Sequence, residues 1–228
     1  MKTPKIYFIP GMGANKDLFI HQKTAGFSME VLEWIKPYEK ESIEHYSARL
    51  AKNIDISEKF ILAGVSFGGI VAVEIAKLLN PQKTILINSV ATYKEYPLLL
   101  KFFSCIPLYR FTPQSAFSNS SIQKFLLYSM GLETDQGKQL FLEMLKSTDT
   151  VFIQWSIDAL MNWRNTTIPS SLVRIHGKND RIFPLKTSKN IHYYLRGGHS
   201  IILEDADHIN SILHSIIEST LQKEPVQN

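Results

Sequence analysis

The segment best suited to chemistry is Gly64-Val65-Ser66-Phe67-Gly68-Gly69. The apolar run 59–65 before it reads as a buried strand, and 69–79 after it as a helix apolar nearly all round, so Ser66 falls at a strand-to-helix turn. Strand and helix backbones converge closely at such a turn, so the residues two before and two after the serine must lack bulk. Gly64 and Gly68 meet that need. The turn presents Ser66 Oγ at the carboxyl edge of a sheet with a helix N-terminus behind it, which is a nucleophile's position.

A serine at neutral pH needs a base within hydrogen-bond reach. Of the seven histidines, His199 in Leu195-Arg196-Gly197-Gly198-His199 directly follows a strand and lies in a Gly-flanked loop at the same carboxyl edge. His208, opening the last helix, is the alternative. His45 and His214 fall within helices, His192 within a strand, and His21 in an early loop. The base in turn needs a carboxylate to set its tautomer. Asp180, in His176-Gly177-Lys178-Asn179-Asp180-Arg181, follows another strand and gives the chain order Ser66, Asp180, His199. Asp180 could instead form a turn or pair with Arg181. Asp205 and Asp207 are alternative acids that read more simply as caps of the last helix, and His176 reads as a brace for the loop. After the first strand, Pro10-Gly11-Met12-Gly13 supplies a turn whose Met12 amide, with that of Phe67, could donate to a developing oxyanion.

These groups need a scaffold, and the hydropathy pattern describes one. Apolar runs at 5–9, 29–35, 59–65 and 84–90, then 171–176 and 191–196, read as strands. Between them Ile43, Tyr46, Ser47, Leu50, Ala51 and Ile54 form one helical stripe. Ile209, Ile212, Leu213, Ile216, Ile217 and Leu221 form another. Continuous apolar strands alternating with helices imply an α/β chain with a doubly wound, mostly parallel sheet covered on both faces.

The alternation stops at about Ala91. Residues 92–166 read as helical throughout and hold more than half of the chain's aromatic residues. We take them as a helical cap inserted into a core of 1–91 and 167–228. An insertion leaving and rejoining the sheet there must sit over its carboxyl edge. Tyr93, Phe102, Phe103, Phe125, Tyr128, Phe152 and Trp155 are therefore candidates to line an apolar pocket. The alternative is that they pack the cap against the core.

Composition narrows the classes. A chain of 228 residues with 44% hydrophobic and 20% charged residues is ordinary for a globular domain. A net charge of +4 with no long basic run gives no footprint for nucleic acid or anionic lipid. The single cysteine, Cys105, has no internal partner for a disulfide or metal site. No stretch is long and apolar enough for a membrane span, and the first residues run straight into a strand rather than a secretory leader, so a cytoplasmic location is expected. Residues 222–228 look polar and loose.

Ile-Pro-Gly-Met-Gly at 9–13, Gly-Val-Ser-Phe-Gly-Gly at 64–69, His-Gly-Lys-Asn-Asp-Arg-Ile-Phe-Pro at 176–184 and Gly-Gly-His-Ser-Ile-Ile-Leu-Glu at 197–204 together resemble the α/β-hydrolase superfamily over nearly the whole chain. The resemblance implies a nucleophile, acid and base at Ser66, Asp180 and His199, with oxyanion donors at Met12 and Phe67. It also implies a helical cap at 92–166. Three departures stand out: Ile9-Pro10 where many members carry His-Gly, a short spacing between Asp180 and His199, and no antiparallel edge strands before the first strand. The expected activity is that of a serine hydrolase cleaving a small apolar ester or thioester through an acyl-enzyme, with no metal or organic cofactor. An acyltransferase or lyase on the same scaffold and a catalytically silent binding protein are the alternatives. A small molecule is the expected partner, and oligomeric state is not legible.

Overall fold

A computed structural model describes residues 3–23, 25–98, 100, 119–187 and 190–222. Strands β1 (Lys5–Ile9), β2 (Met29–Val31), β3 (Phe60–Val65), β4 (Lys83–Ile87), β5 (Leu172–Gly177) and β6 (Tyr193–Leu195) pair in the order β2-β1-β3-β4-β5-β6. Every pairing is parallel. Parallel neighbours require crossovers, and those crossovers place helices on both faces. Period-two alternation divides the strand residues between the faces. Tyr7, Ile9, Leu62 and Leu86 pack with α2 (Ile43–Leu50) and α3 (Phe67–Leu79) on one side. Ile6, Phe8, Ile61, Ala63, Ile85 and Ile87 pack on the other with α7 (Ile201–Glu204) and α8 (Ala206–Gln222).

Some element ends differ from the sequence reading, each for a local reason. The strand expected at 29–35 stops at Val31. Past it the chain turns away to exchange hydrogen bonds between Ile35 and the Tyr46 hydroxyl, at 3.0 and 2.9 Å. The strand expected at 84–90 stops at Ile87, because Asn88 takes a left-handed conformation with φ 49°. His21, expected in a loop, lies in the short helix α1 (Ile20–Lys23).

Within 92–166 the described residues form a short 3-10 turn at Tyr93–Glu95, then α4 (Ser120–Met130), α5 (Asp135–Ser147) and α6 (Thr150–Asn162). Their apolar residues join both sides of the core. Leu132, Phe141 and Met144 belong to the α8 side. Tyr96, Phe152, Trp155, Ala159 and Trp163 belong to the α3 side. At the neck Tyr93 N–H donates to Asn165 O at 3.0 Å, and Asn165 Nδ2 to Ala91 O at 2.9 Å. A buried two-pronged ion pair between Glu95 and Arg174 of β5, at 2.5 and 3.0 Å, fastens this neck to the sheet. No helix among the described residues is long and apolar enough to cross a membrane.

Candidate active site

The candidate side chains all follow strand carboxyl ends. Ser66 comes directly after β3 and Asn88 after β4, while Asp180 and His199 lie three and four residues beyond β5 and β6. Ser66 sits at φ 53° and ψ −120°, a conformation costing about 1–3 kcal/mol for a residue with a Cβ. The surrounding structure holds it there. Ser66 N–H donates to Ile87 O at 3.0 Å, Ser66 O accepts from Gly69 N–H at 2.9 Å, and Ser89 Oγ donates to Ser66 O at 2.6 Å. A Cβ on Gly64 would lie 2.3 Å from Gly68 O, and one on Gly68 would lie 2.2 Å from Pro10 O. Both contacts are with backbone, which cannot give way, so the turn closes only around glycine.

Ser66 Oγ is 2.7 Å from His199 Nε2, and His199 Nδ1 is 2.9 and 3.0 Å from the two oxygens of Asp180. With a carboxylate on Nδ1, that nitrogen carries the proton and donates it, leaving Nε2 to accept from the serine hydroxyl. His199 and Asp180 are almost fully buried. Asp180 also accepts from the backbone amides of Ile182 and Phe183 at 2.8 and 2.9 Å and from Asn88 Nδ2 at 2.7 Å. Burial opposes its ionisation, but the attraction and hydrogen bond of His199, with the Phe183 amide and His176, outweigh that and hold its carboxyl below the ordinary range. His176 donates from Nε2 to Phe183 O at 2.7 Å, bracing the Asp180 loop. Burial lowers its pKa despite the nearby Asp180 charge, so it favours the neutral form.

The oxyanion candidates lie beside the serine. A Cβ on Gly11 would stand 3.5 Å from Ser66 Cβ, so the loop after β1 touches the nucleophile's turn. Ala14 N–H closes that loop on Gly11 O at 3.1 Å, leaving Met12 N–H outside the turn's own hydrogen bond. Phe67 is the first residue of α3, where an amide has no intrahelical acceptor.

The alternatives lie elsewhere. The His208 side chain is about three-quarters exposed and paired through Nδ1 with Asp205 at 2.5 Å. Among the aromatic candidates, Phe152 and Trp155 are buried in packing: the Trp155 ring lies 4.2 Å from that of Tyr46, tilted by 32°, and donates from Nε1 to Glu41 O at 2.8 Å. Tyr93 lies partly buried at the neck, and Phe125 and Tyr128 are exposed on α4. Arg181 lies 4.0 Å over the Tyr128 ring and donates to Tyr128 O at 2.6 Å. Phe102, Phe103 and Cys105 lie outside the described residues.

Two polar groups at the site escaped the sequence reading. Asn88 Nδ2 binds Asp180 Oδ2 and, at 2.9 Å, Gly198 O, while its Oδ1 accepts from Gly177 N–H at 3.3 Å. One side chain thus ties the Asp180 loop to the loop carrying His199. Ser89 holds the Ser66 carbonyl. The available signal was the polar pair Asn88-Ser89 interrupting an apolar run at a strand's carboxyl end.

No protein-family model and no curated protein sequence matches the chain. Solved structures do. A thermophilic esterase from Thermogutta terrifontis superimposes with a TM-score of 0.74 at 14% identity, over 95% of this chain and 90% of its own. A hydrolase from Pseudomonas aeruginosa gives 0.75 at 14% identity, over 93% and 89%. An epoxide hydrolase from Bacillus megaterium gives 0.71 at 13% identity, over 97% and 94%.

Proposed function

We propose that this chain, whose fold is that of the α/β hydrolases, is a serine hydrolase cleaving a small, apolar carboxylic ester or thioester. The observation that carries the reading is the unbroken line from Ser66 Oγ through His199 to Asp180, with contacts of 2.7 and 2.9 Å. A hydrogen-bonded serine, buried histidine and buried carboxylate at one sheet edge is the arrangement that activates a hydroxyl.

In this reading Ser66 Oγ attacks the carbonyl carbon while its proton passes to His199 Nε2. Asp180 stabilises the imidazolium, and the Met12 and Phe67 amides receive the charge on the former carbonyl oxygen. Collapse of the tetrahedral intermediate expels the alcohol or thiol, which takes the proton from His199. Water then attacks the acyl-enzyme, giving its proton to His199. The acid departs as Ser66 recovers its own. No step calls for a metal or organic cofactor. The insertion at 92–166 caps the site in this reading, and Tyr93, Phe125 and Tyr128 remain candidates for contact with the substrate's apolar part. Fold likeness to an esterase and to an epoxide hydrolase alike leaves the reaction to be argued from the site.

A fluorophosphonate probe should modify Ser66, and Ser66→Ala should lose both labelling and turnover of p-nitrophenyl esters. His199→Ala should lower kcat by about 10³-fold or more, while His208→Ala stays near wild type. Labelling at another serine with an active Ser66→Ala variant refutes the proposal. Product analysis in the presence of amine or alcohol acceptors separates hydrolysis from acyl transfer.

A further inference from the structure

We infer that Trp34 is a positioning residue for the oxyanion hole, holding the Gly11–Met12 peptide in register through its indole N–H. The inference rests on the reading of Met12 N–H as an oxyanion donor. Trp34 lies three residues past β2, and its Nε1–H is shared between Ala14 O at 3.1 Å and Gly11 O at 3.4 Å. Those are the carbonyls at the two ends of the turn after β1, and the Ala14 N–H to Gly11 O bond closes the same turn at 3.1 Å.

The geometry of a peptide makes this contact consequential for Met12. Gly11 C=O and Met12 N–H are opposite ends of one planar unit, so a donor that fixes the carbonyl also fixes the direction of the amide. Gly11 has no Cβ to resist rotation of that unit, and Gly13 sits at φ 74°. A flip would turn the N–H away and present a carbonyl where a donor is needed. With Trp34 and Ala14 both donating to Gly11 O, the flip loses two hydrogen bonds. Donation into the carbonyl also polarises the peptide and strengthens its N–H as a donor.

The ring adds a second tie. Its centroid is 5.7 Å from that of Phe67, whose amide is the other proposed donor, and 4.9 Å from that of Phe152 on α6. One side chain therefore touches the turn after β1, the Phe67 ring and the insertion. Trp34 also borders a cavity of about 440 Å³ shared with Ala14, Lys36 and Phe152. Packing is incomplete on that side, and the N–H contacts fix where the indole sits.

Trp34→Phe keeps a ring and deletes the N–H. Replacement by 3-benzothienylalanine keeps the full indole shape and deletes only the donor. Both should lower kcat about tenfold with KM within twofold, against the ~10²–10³-fold loss when an oxyanion donor is removed outright. Affinity for an alkyl boronic acid, whose Ser66 adduct places an oxygen in the hole, should weaken by the same factor. A loss confined to Trp34→Phe, or a rise in KM with unchanged kcat and boronate affinity, assigns the residue to packing and overturns the inference. Wild-type values in the benzothienylalanine protein overturn it too. A wild-type protein that fluorophosphonate fails to label at Ser66 refutes the enzyme reading first, and the role of Trp34 with it.

Discussion

Removing the Asn88 side chain should be among the costliest single changes away from the three proposed catalytic side chains, and its size can be worked from the contacts. Asn88 is fully buried and donates at 2.7 Å to Asp180, whose carboxyl is held in the ionised form; a hydrogen bond to a charged group contributes about 1.5–3 kcal/mol. The bond to Gly198 O at 2.9 Å joins two neutral groups and adds about 1 kcal/mol. The backbone at φ 49° tolerates asparagine, but alanine there costs about 1–2 kcal/mol. Asn88→Ala should therefore lose about 5 kcal/mol. With a urea m-value of about 3 kcal/mol/M for a chain this long, the midpoint falls by roughly 1.7 M. Asn88→Gly loses the same hydrogen bonds but not the backbone fit, so it should lie about 1 kcal/mol above the alanine variant. Catalysis should suffer separately. Untying the Asp180 loop from the His199 loop loosens the alignment that sets the base's tautomer, and kcat should fall at least about tenfold, short of the ~10⁴ that follows when the tautomer itself is wrong. Equilibrium unfolding near neutral pH and ester turnover measure the two effects. A midpoint for Asn88→Ala within error of wild type, or a weakened protein with unchanged kcat, would refute the reasoning.

Two further outcomes follow from buried charge and burial-shifted groups. Glu95→Leu should cost about 3–5 kcal/mol because it strands Arg174 in the core, and Arg174→Met in the same protein should restore most of it; equal urea midpoints for the single and double variants would contradict this. His176 is depressed in the folded state, so between the unfolded value near 6.5 and its folded value the unfolded chain binds more protons. Its contribution is therefore present above about pH 6.5 and lost as pH falls through the folded value. Wild type should lose stability on acidification through that window more steeply than His176→Gln, and parallel curves would show that His176 is not the group responsible.

Most of the fold was legible because its signals are local. Continuous apolar runs mark strands buried on both faces, and Gly64 and Gly68 mark a turn that admits no side chain. The juxtaposition of Ser66, Asp180 and His199 was legible because each follows a strand, and a parallel sheet brings all strand carboxyl ends to one edge. What remained hidden depends on contacts between distant segments. Asn88 meets Asp180 and Gly198 across 92 and 110 residues, and nothing near position 88 announces either partner. Trp34 reads as one more apolar residue of the strand expected at 29–35, and only the fold reveals that its N–H reaches the turn after β1. The aromatic excess in 92–166 was visible, but not its division between packing and exposed surface. Phe152 and Trp155 turned inward to Tyr46 and Phe67, while Phe125 and Tyr128 stayed outside.

That division changes how the insertion should be understood. A detachable cover would contact the catalytic loops weakly, yet the described part of 92–166 grips both. Met130 O accepts from Ser200 N–H at 2.9 Å, next to the base, and a Cβ on Gly131 would come within 2.7 Å of Gly198 Cα. Glu204, five residues past the base, accepts from the Thr134 hydroxyl at 2.9 Å at the start of α5. On the other side Leu145 and Ile153 close on Gly13 of the loop after β1, and Phe152 meets Trp34. Each contact joins an insertion residue to a segment that the proposed acyl transfer requires to hold still. The same helices also complete the hydrophobic packing on both faces of the sheet. Moving α4 to α6 as a unit would expose that apolar surface and break their contacts with the His199 loop and the loop after β1 together. The insertion packs here as a frame, and its closeness to the His199 loop and the loop after β1 makes their geometry a property of the whole fold.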